Sequence, residues 1–474
     1  MMDPREVSLL DPVSAGGAAA RATGDTAFVQ AMLDVESAWA GVLSDAGLIE
    51  PAAAEAVAEA ADARRYDLAS LAARTRDGAN ALIPLLADLR STTHEVALAA
   101  GADRAGASAA AAAVHRGATS QDIIDTALML VARRAGAALT ADLASAADSL
   151  AGLVDAHRGT LAVARSLTQH ALPTTFGLRA AGWLSGVVTA ADRIRGALDA
   201  APLQWGGAAG TAAALTDVVA GSSATPAGLA ASLADRLRLA DPGAPWHTQR
   251  LPVTSLGAAL ADVVVAASKV ANDVLLGARP EVGELREAAS QGRGGSSAMP
   301  QKQNPVLAVT IKQAAIAAPA QLGQLYAAAA AAGDERPDGG WHAEWAALRA
   351  LIRTAGAAAE QLAALTAGLE VDKQRMRANL ELSGGLVLSE RIMARLAAHA
   401  RHGDLRGREA VTALVRAAQT SGASLRELLR AGIDPAVVSD VELDTLLDPD
   451  DYLGATDAFI DTHLATYRKL HPDD

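Results

Sequence analysis

The stretch HRGATSQDIIDTALML, His115 to Leu130, sets an imidazole and two hydroxyls beside the start of a helical pattern. Thr119 or Ser120 can cap that helix, and Asp122 completes a capping box if Thr119 is the cap. Capping accounts for Thr119, Ser120 and Asp122 but not for His115 and Gly117. A helix N-terminus flanked by a histidine and hydroxyls can receive a carboxylate or a phosphate. A second polar stretch, RSLTQHALPTTFGLRAAGW from Arg165, holds Gln169 and His170 just before Pro173, which reads as another helix entry. LQWGGAAGT, Leu203 to Thr211, permits close backbone approach through its glycines. PWHTQR, Pro245 to Arg250, offers Gln249 and Arg250 ahead of a long apolar segment. RGGSSAMPQKQNP, Arg293 to Pro305, joins glycines to Ser296, Ser297, Met299, Lys302 and Asn304. Its final Asn304–Pro305 makes a good cap and first-turn pair for the helix VLAVTIKQAAI.

Several chemistries are excluded by pattern. The glycine-rich stretch does not match GxxxxGK[ST], GxSxG is absent, and HExxH is absent. No histidine–carboxylate spacing suggests a metal site. The chain has no cysteine, which removes thiolate catalysis, disulfides and zinc–thiolate sites and fits a cytoplasmic location. A formal net charge of −13 argues against nucleic acid as a partner. A locally positive site for an anionic substrate remains compatible with it.

These stretches interrupt a chain built for helices. Of its 474 residues 51% are hydrophobic but only 3% aromatic. Alanine favours helices and fills cores poorly. Close packing of many helices, with further burial by self-association, is the expectation. Val35, Trp39 and Leu43 lie four apart, and Leu256, Leu260, Val263, Ala267, Val270 and Val274 alternate steps of four and three. The uncharged stretch Gln313 to Gly333 could span a bilayer by length, but its alanines and glutamines make it weakly apolar. A helix buried in a soluble bundle, with no membrane partner, is the expectation. The division expected is an N-terminal helical domain over 1–112, a central bundle over 113–368 with a polar loop at 290–305, and a C-terminal helical domain over 369–474.

GGSSAMPQKQNP closely resembles the signature loop GSSxMPxKxNP of the fumarase/aspartase superfamily. HRGATSQDIIDTA and QHALPTTFG resemble two further conserved blocks, in order along the chain. LQWGGAAGT, PWHTQR, MPQKQNPV, GGWHAEW and LLDPDDYLGATDAFID resemble the bacterial cycloisomerase branch. The resemblance implies an all-α, three-domain fold with a central bundle of long helices. It also implies a homotetramer whose active sites are shared between subunits, a small polycarboxylate substrate and no cofactor.

By the same resemblance Ser296 is the general base, and Lys302 and Asn304 hold the carboxylate next to the carbon that loses its proton. His115, Thr119, Ser120, Gln169, His170, Gln249, Arg250, Ser297 and Met299 are implied substrate contacts. Two departures matter. Leu251 follows Arg250 where the cycloisomerase pattern has an acidic residue. Leu167 stands where adenylosuccinate lyases carry a catalytic histidine. A leucine cannot protonate a leaving amine, whereas a departing carboxylate, whose acid has a pKa near ~4, needs no proton. The implied reaction is therefore interconversion of 3-carboxy-cis,cis-muconate and a carboxymuconolactone, in protocatechuate breakdown. The alternatives are a C–N lyase of the adenylosuccinate lyase kind and a non-catalytic helical oligomer.

Overall fold

The computed structural model describes residues 9–290, 292–295 and 298–470. Ser296 and Ser297 lie outside the described residues. The fold is all-α, in line with the helix preference of an alanine-rich chain. Among the described residues the strands form three two-stranded antiparallel ribbons: Leu161–Ser166 with Gln169–Thr175, Leu285–Glu287 with Leu369–Val371, and Arg401–His402 with Leu405–Arg406.

The elements used below are labelled in chain order. They are α1 (Asp25–Asp45), α2 (Ser120–Ala156), β1 (Leu161–Ser166), β2 (Gln169–Thr175), α3 (Phe176–Asp199), α4 (Leu251–Gly277), α5 (Val306–Ala330) and α6 (Gly340–Ala367). α2 has 37 residues, about 55 Å at 1.5 Å per residue. Val35, Trp39 and Leu43 are fully buried on α1, and the six positions read as one face of α4 are all buried. Asp262, Lys269 and Asp273 keep to another face of α4, where Lys269 pairs with Asp273.

The chain folds into two compact units. The first comprises 1–144, 189–268 and 310–362; the second comprises 145–188, 269–309 and 363–474. Each of α2 to α6 contributes one stretch to each unit. In the second unit Leu161 and Val163 of β1 join a core with Leu380, Ile392, Leu396, Val411, Leu414, Leu429 and Leu443. The short C-terminal helices thus close over the hairpin as well as over one another.

One local expectation changes, and one helix start gains a partner from elsewhere in the chain. Pro173 does not begin a helix; it sits in β2 opposite Val163. The helix starts at Phe176, and the Thr175 hydroxyl accepts from the Leu178 N–H at 3.1 Å. Asn304 and Pro305 stand directly ahead of α5, as the sequence places them. The buried Glu287 carboxylate also holds this helix start, accepting from Leu307 N–H at 3.2 Å and Ala308 N–H at 2.8 Å. A carboxylate at a helix N-terminus meets both the unpaired N–H groups and the favourable end of the dipole.

Candidate active site

In the first unit three of the polar stretches, joined by GGWHAEW, converge on the beginning of α2. Asp122, fully buried in its first turn, is the centre. Its Oδ2 accepts from the backbone N–H of Thr119 at 3.0 Å and of Gly207 at 2.9 Å. Its Oδ1 accepts from Gly206 N–H at 2.9 Å and lies 3.3 Å from both Gln204 Nε2 and His247 Nε2. Half of the anticipated capping box therefore forms, and it is shared with LQWGG. The approach requires glycine: a Cβ on Gly206 would stand 2.4 Å from Pro245 Cγ.

One turn further along α2, Asp125 is also fully buried. It accepts from Trp341 Nε1 at 2.8 Å, from Gln121 Nε2 at 3.1 Å and from Arg250 at 2.8 and 3.1 Å. Arg250 is 2% exposed, and all five of its N–H groups are engaged, by Asp125, Glu344 and the His247 carbonyl. It presents no donor to a ligand in this structure. Leu251, which departs from the family pattern, is exposed and takes no part. The two carboxylates that satisfy Arg250 come from α2 and α6. One cation is thus shared by two buried anions. Burial pushes the Glu344 carboxyl up to about 7, and the neighbouring Asp125 charge adds to it; Arg250 offsets this only in part.

The rim of this network carries the groups open to a ligand. Thr119 is buried with its hydroxyl accepting from Arg336 Nη2 at 2.8 Å. Arg336 Nε reaches Gln121 Oε1 at 3.3 Å, and its guanidinium lies 5.8 Å from the Trp341 ring centroid. Ser120 begins the helix beside them. His115 has a left-handed φ of 63°, rare for a residue with a side chain. The buried Glu36 on α1 secures it by accepting from the His115 N–H at 2.9 Å and from Nδ1 at 2.7 Å. This contact assigns the ring proton to Nδ1 and leaves Nε2 as the group offered outward. Gln249 lies in the turn before α4 and is exposed.

In the second unit Arg165 on β1 donates to the fully buried Glu284 at 2.6 and 3.0 Å, and Asn379 adds a bond at 2.8 Å. Burial alone would raise the Glu284 carboxyl. The hydrogen bonds from Arg165 and Asn379, with the charges of Arg165 and Arg179, outweigh it and hold the carboxyl below its ordinary range. This anchors the root of a hairpin whose tip is exposed. Leu167, at φ 49°, is 93% exposed, and Thr168, Gln169 and His170 are exposed beside it. Lys302 and Met299 are exposed on the signature loop, and Asn304 is half-buried at its base. The described part of the loop folds back on itself, with Gly295 bridging Gln303 and Asn304 N–H donating to the Gly294 carbonyl at 2.8 Å. Gly294, at φ 77°, allows this, since a Cβ would lie 2.6 Å from the Asn304 carbonyl oxygen. Lys302 and Asn304 line a cleft of about 890 Å³ together with Arg286 and Lys373.

The structure thus brings together His115, Thr119, Ser120 and the Arg250 network in one unit. It places Gln169, His170, Met299, Lys302 and Asn304 in the other. Sequence reasoning did not single out Arg336, Glu36 or Glu284 as functional. Arg336 offered one signal, a charged DERPD turn just ahead of GGWHAEW.

Comparison with known proteins identifies the family. Residues 19–319 match the family described as Lyase. The chain is 44% identical over 458 residues to nitrosuccinate lyase of Streptomyces davaonensis, covering 96% of this chain and 93% of that one. It is 40% identical to 3-carboxy-cis,cis-muconate cycloisomerase of Bradyrhizobium diazoefficiens, covering 96% of each. The crystal structure of 3-carboxy-cis,cis-muconate lactonizing enzyme from Pseudomonas putida superposes with a TM-score of 0.85 at 34% identity, covering 98% of this chain and 99% of that one. With its signature loop, its long-helix fold and these relatives, the chain belongs to the lyase family of the fumarase/aspartase superfamily.

Proposed function

We propose that this enzyme adds or eliminates a weakly basic anion next to a carboxylate-activated carbon, without a general acid for the leaving group. The observation that carries this reading is Leu167. An exposed leucine occupies the hairpin tip, where an amine-expelling relative needs a proton donor. Cycloisomerisation of 3-carboxy-cis,cis-muconate fits. The muconate carboxylate forms the new C–O bond to the double bond, and the neighbouring α-carbon takes one proton. In reverse the C–O bond breaks as that proton is removed, and the lactone oxygen leaves as a carboxylate. Ser296 supplies and removes the proton by its place in the signature motif. Lys302 and Asn304 stabilise the charge that builds on the α-carboxylate. The step is redox-neutral and calls on no cofactor.

A second reading follows from the 44% identical relative. For nitrosuccinate the same base removes the proton next to a carboxylate, and nitrite departs from the adjacent carbon. Nitrite, the anion of an acid of carboxylic-acid strength, also leaves unprotonated. The test is an ultraviolet assay with purified enzyme on 3-carboxy-cis,cis-muconate, nitrosuccinate and adenylosuccinate. Turnover of either of the first two is expected, and turnover of adenylosuccinate alone refutes the proposal. Ser296→Ala should lower kcat by at least about 100-fold, the scale of a lost general base; full activity in that variant would remove Ser296 from the mechanism.

A further inference from the structure

We propose that Arg250 controls substrate affinity without touching substrate. It clamps the first turns of α2 and α6 together and so positions Arg336, which receives a substrate carboxylate beside Thr119. This rests on the reading that a polycarboxylate is held at the start of α2.

The geometry argues the clamp in steps. Arg250 spends every donor on buried partners, so removing it would strand charges rather than open a contact. Those partners belong to α2 through Asp125 and to α6 through Glu344. Trp341, in the first turn of α6, adds its Nε1 bond to the same Asp125. The short connection from α5 to α6 carries Arg336, five residues before Trp341. Fixing Trp341 therefore fixes the end of that connection, and Trp341 also offers its ring face to the Arg336 guanidinium. Gln121 closes the circuit, donating to Asp125 and to the His247 carbonyl while accepting from Arg336 Nε.

Arg336 is suited to the role that Arg250 cannot fill. It is half-buried, and its Nη1 has no hydrogen-bond partner among the described residues. Its open N–H groups form a planar fork of the kind that pairs with a carboxylate through two parallel bonds. The Thr119 hydroxyl, accepting from Arg336, keeps its own proton free to donate to the same anion.

The test uses calorimetric binding of tricarballylate, a saturated tricarboxylate, to the full-length enzyme. Arg336→Gln should weaken binding about 10- to 100-fold, the range for a lost charge-assisted pair. Arg250→Lys keeps the charge but loses the fork, and should weaken binding about 10-fold. In the double variant the two losses should not multiply; affinity should match Arg336→Gln within about threefold. A merely structural role would lower the melting temperature in both backgrounds and leave the binding losses independent. If Arg250→Lys does not fold, Glu344→Gln replaces it, with a several-fold loss expected that disappears in the Arg336→Gln background. Multiplying losses, unchanged affinity in Arg336→Gln, or no binding by the wild type would overturn the proposal. Tricarballylate binding in this pattern with no turnover of muconate or nitrosuccinate refutes the proposed function alone. Turnover of either without the pattern refutes this inference alone.

Discussion

Glu344 and Glu284 are both buried carboxylates paired with arginine, yet they titrate in opposite directions. Glu284 receives two arginines and an asparagine, while Glu344 shares one arginine with Asp125. For Glu344 the folded state keeps a proton that the unfolded chain has released. The stability it contributes is full below its ordinary value of 4.5 and is lost as pH rises toward about 7. The loss amounts to about 3 kcal/mol across that window, at ~1.4 kcal/mol per unit. Glu344→Gln should flatten the dependence and be more stable than wild type near pH 8; a wild-type denaturation profile level across this range would contradict it. For Glu284 the sign reverses, and its contribution is lost as pH falls through the lowered value. Glu284→Ala leaves Arg165 facing a buried gap and should cost about 3–5 kcal/mol in chemical denaturation. The sequence shows Arg250, Asp125 and Glu344 as residue types, but no local period links Arg250 to Asp125 across 125 positions. Their roles follow only once three separate segments are in contact.

At the scale of the element, helices were the legible part. Heptad-like steps in α4 and the four-residue spacing in α1 place the buried side chains correctly, because one face of a long helix repeats the same information many times. The β1–β2 hairpin was not legible. Its turn, Leu167–Thr168, has both residues at left-handed φ, 49° and 73°, which is the type I′ pattern that favours Asn-Gly. Leucine and a β-branched threonine conceal that turn from any reading of propensity. The same fact makes a prediction. Replacing Leu167 by Asn and Thr168 by Gly should raise stability by about 1 kcal/mol, the range for relieving such strain. If Leu167 takes no part in proton transfer, kcat on the preferred substrate should change by less than about threefold. A drop in melting temperature, or a large loss of kcat, would count against the turn assignment or the acid-free mechanism respectively.

At the scale of the molecule, α2, α4 and α5 are each long and apolar enough by composition to cross a membrane. α2 nevertheless buries Asp122 and Asp125 inside protein, and its alanine-rich surface suits another helix better than lipid. Val265 on α4 and Ile316 and Tyr326 on α5 are large, apolar and more than half exposed. We propose that these faces meet copies of the same chain in a tetramer, as the family resemblance implies. Light scattering should give four chains per particle, and Ile316→Glu should shift the enzyme toward smaller species. A wild-type monomer would refute the assembly. If the sites are shared, that variant should also lose turnover together with the assembly.

The Asp122 cradle has a kinetic signature of its own. Three of the donors it gathers are main-chain amides, those of Thr119, Gly206 and Gly207, and two of them sit in a stretch without helix or strand. Irregular segments ordinarily exchange their amide protons for deuterium quickly. Here residues 206 and 207 should exchange as slowly as the core of α2, and Asp122→Asn should release them to fast exchange. Deuterium uptake at two glycines would then report whether the cradle is assembled, before any substrate is known.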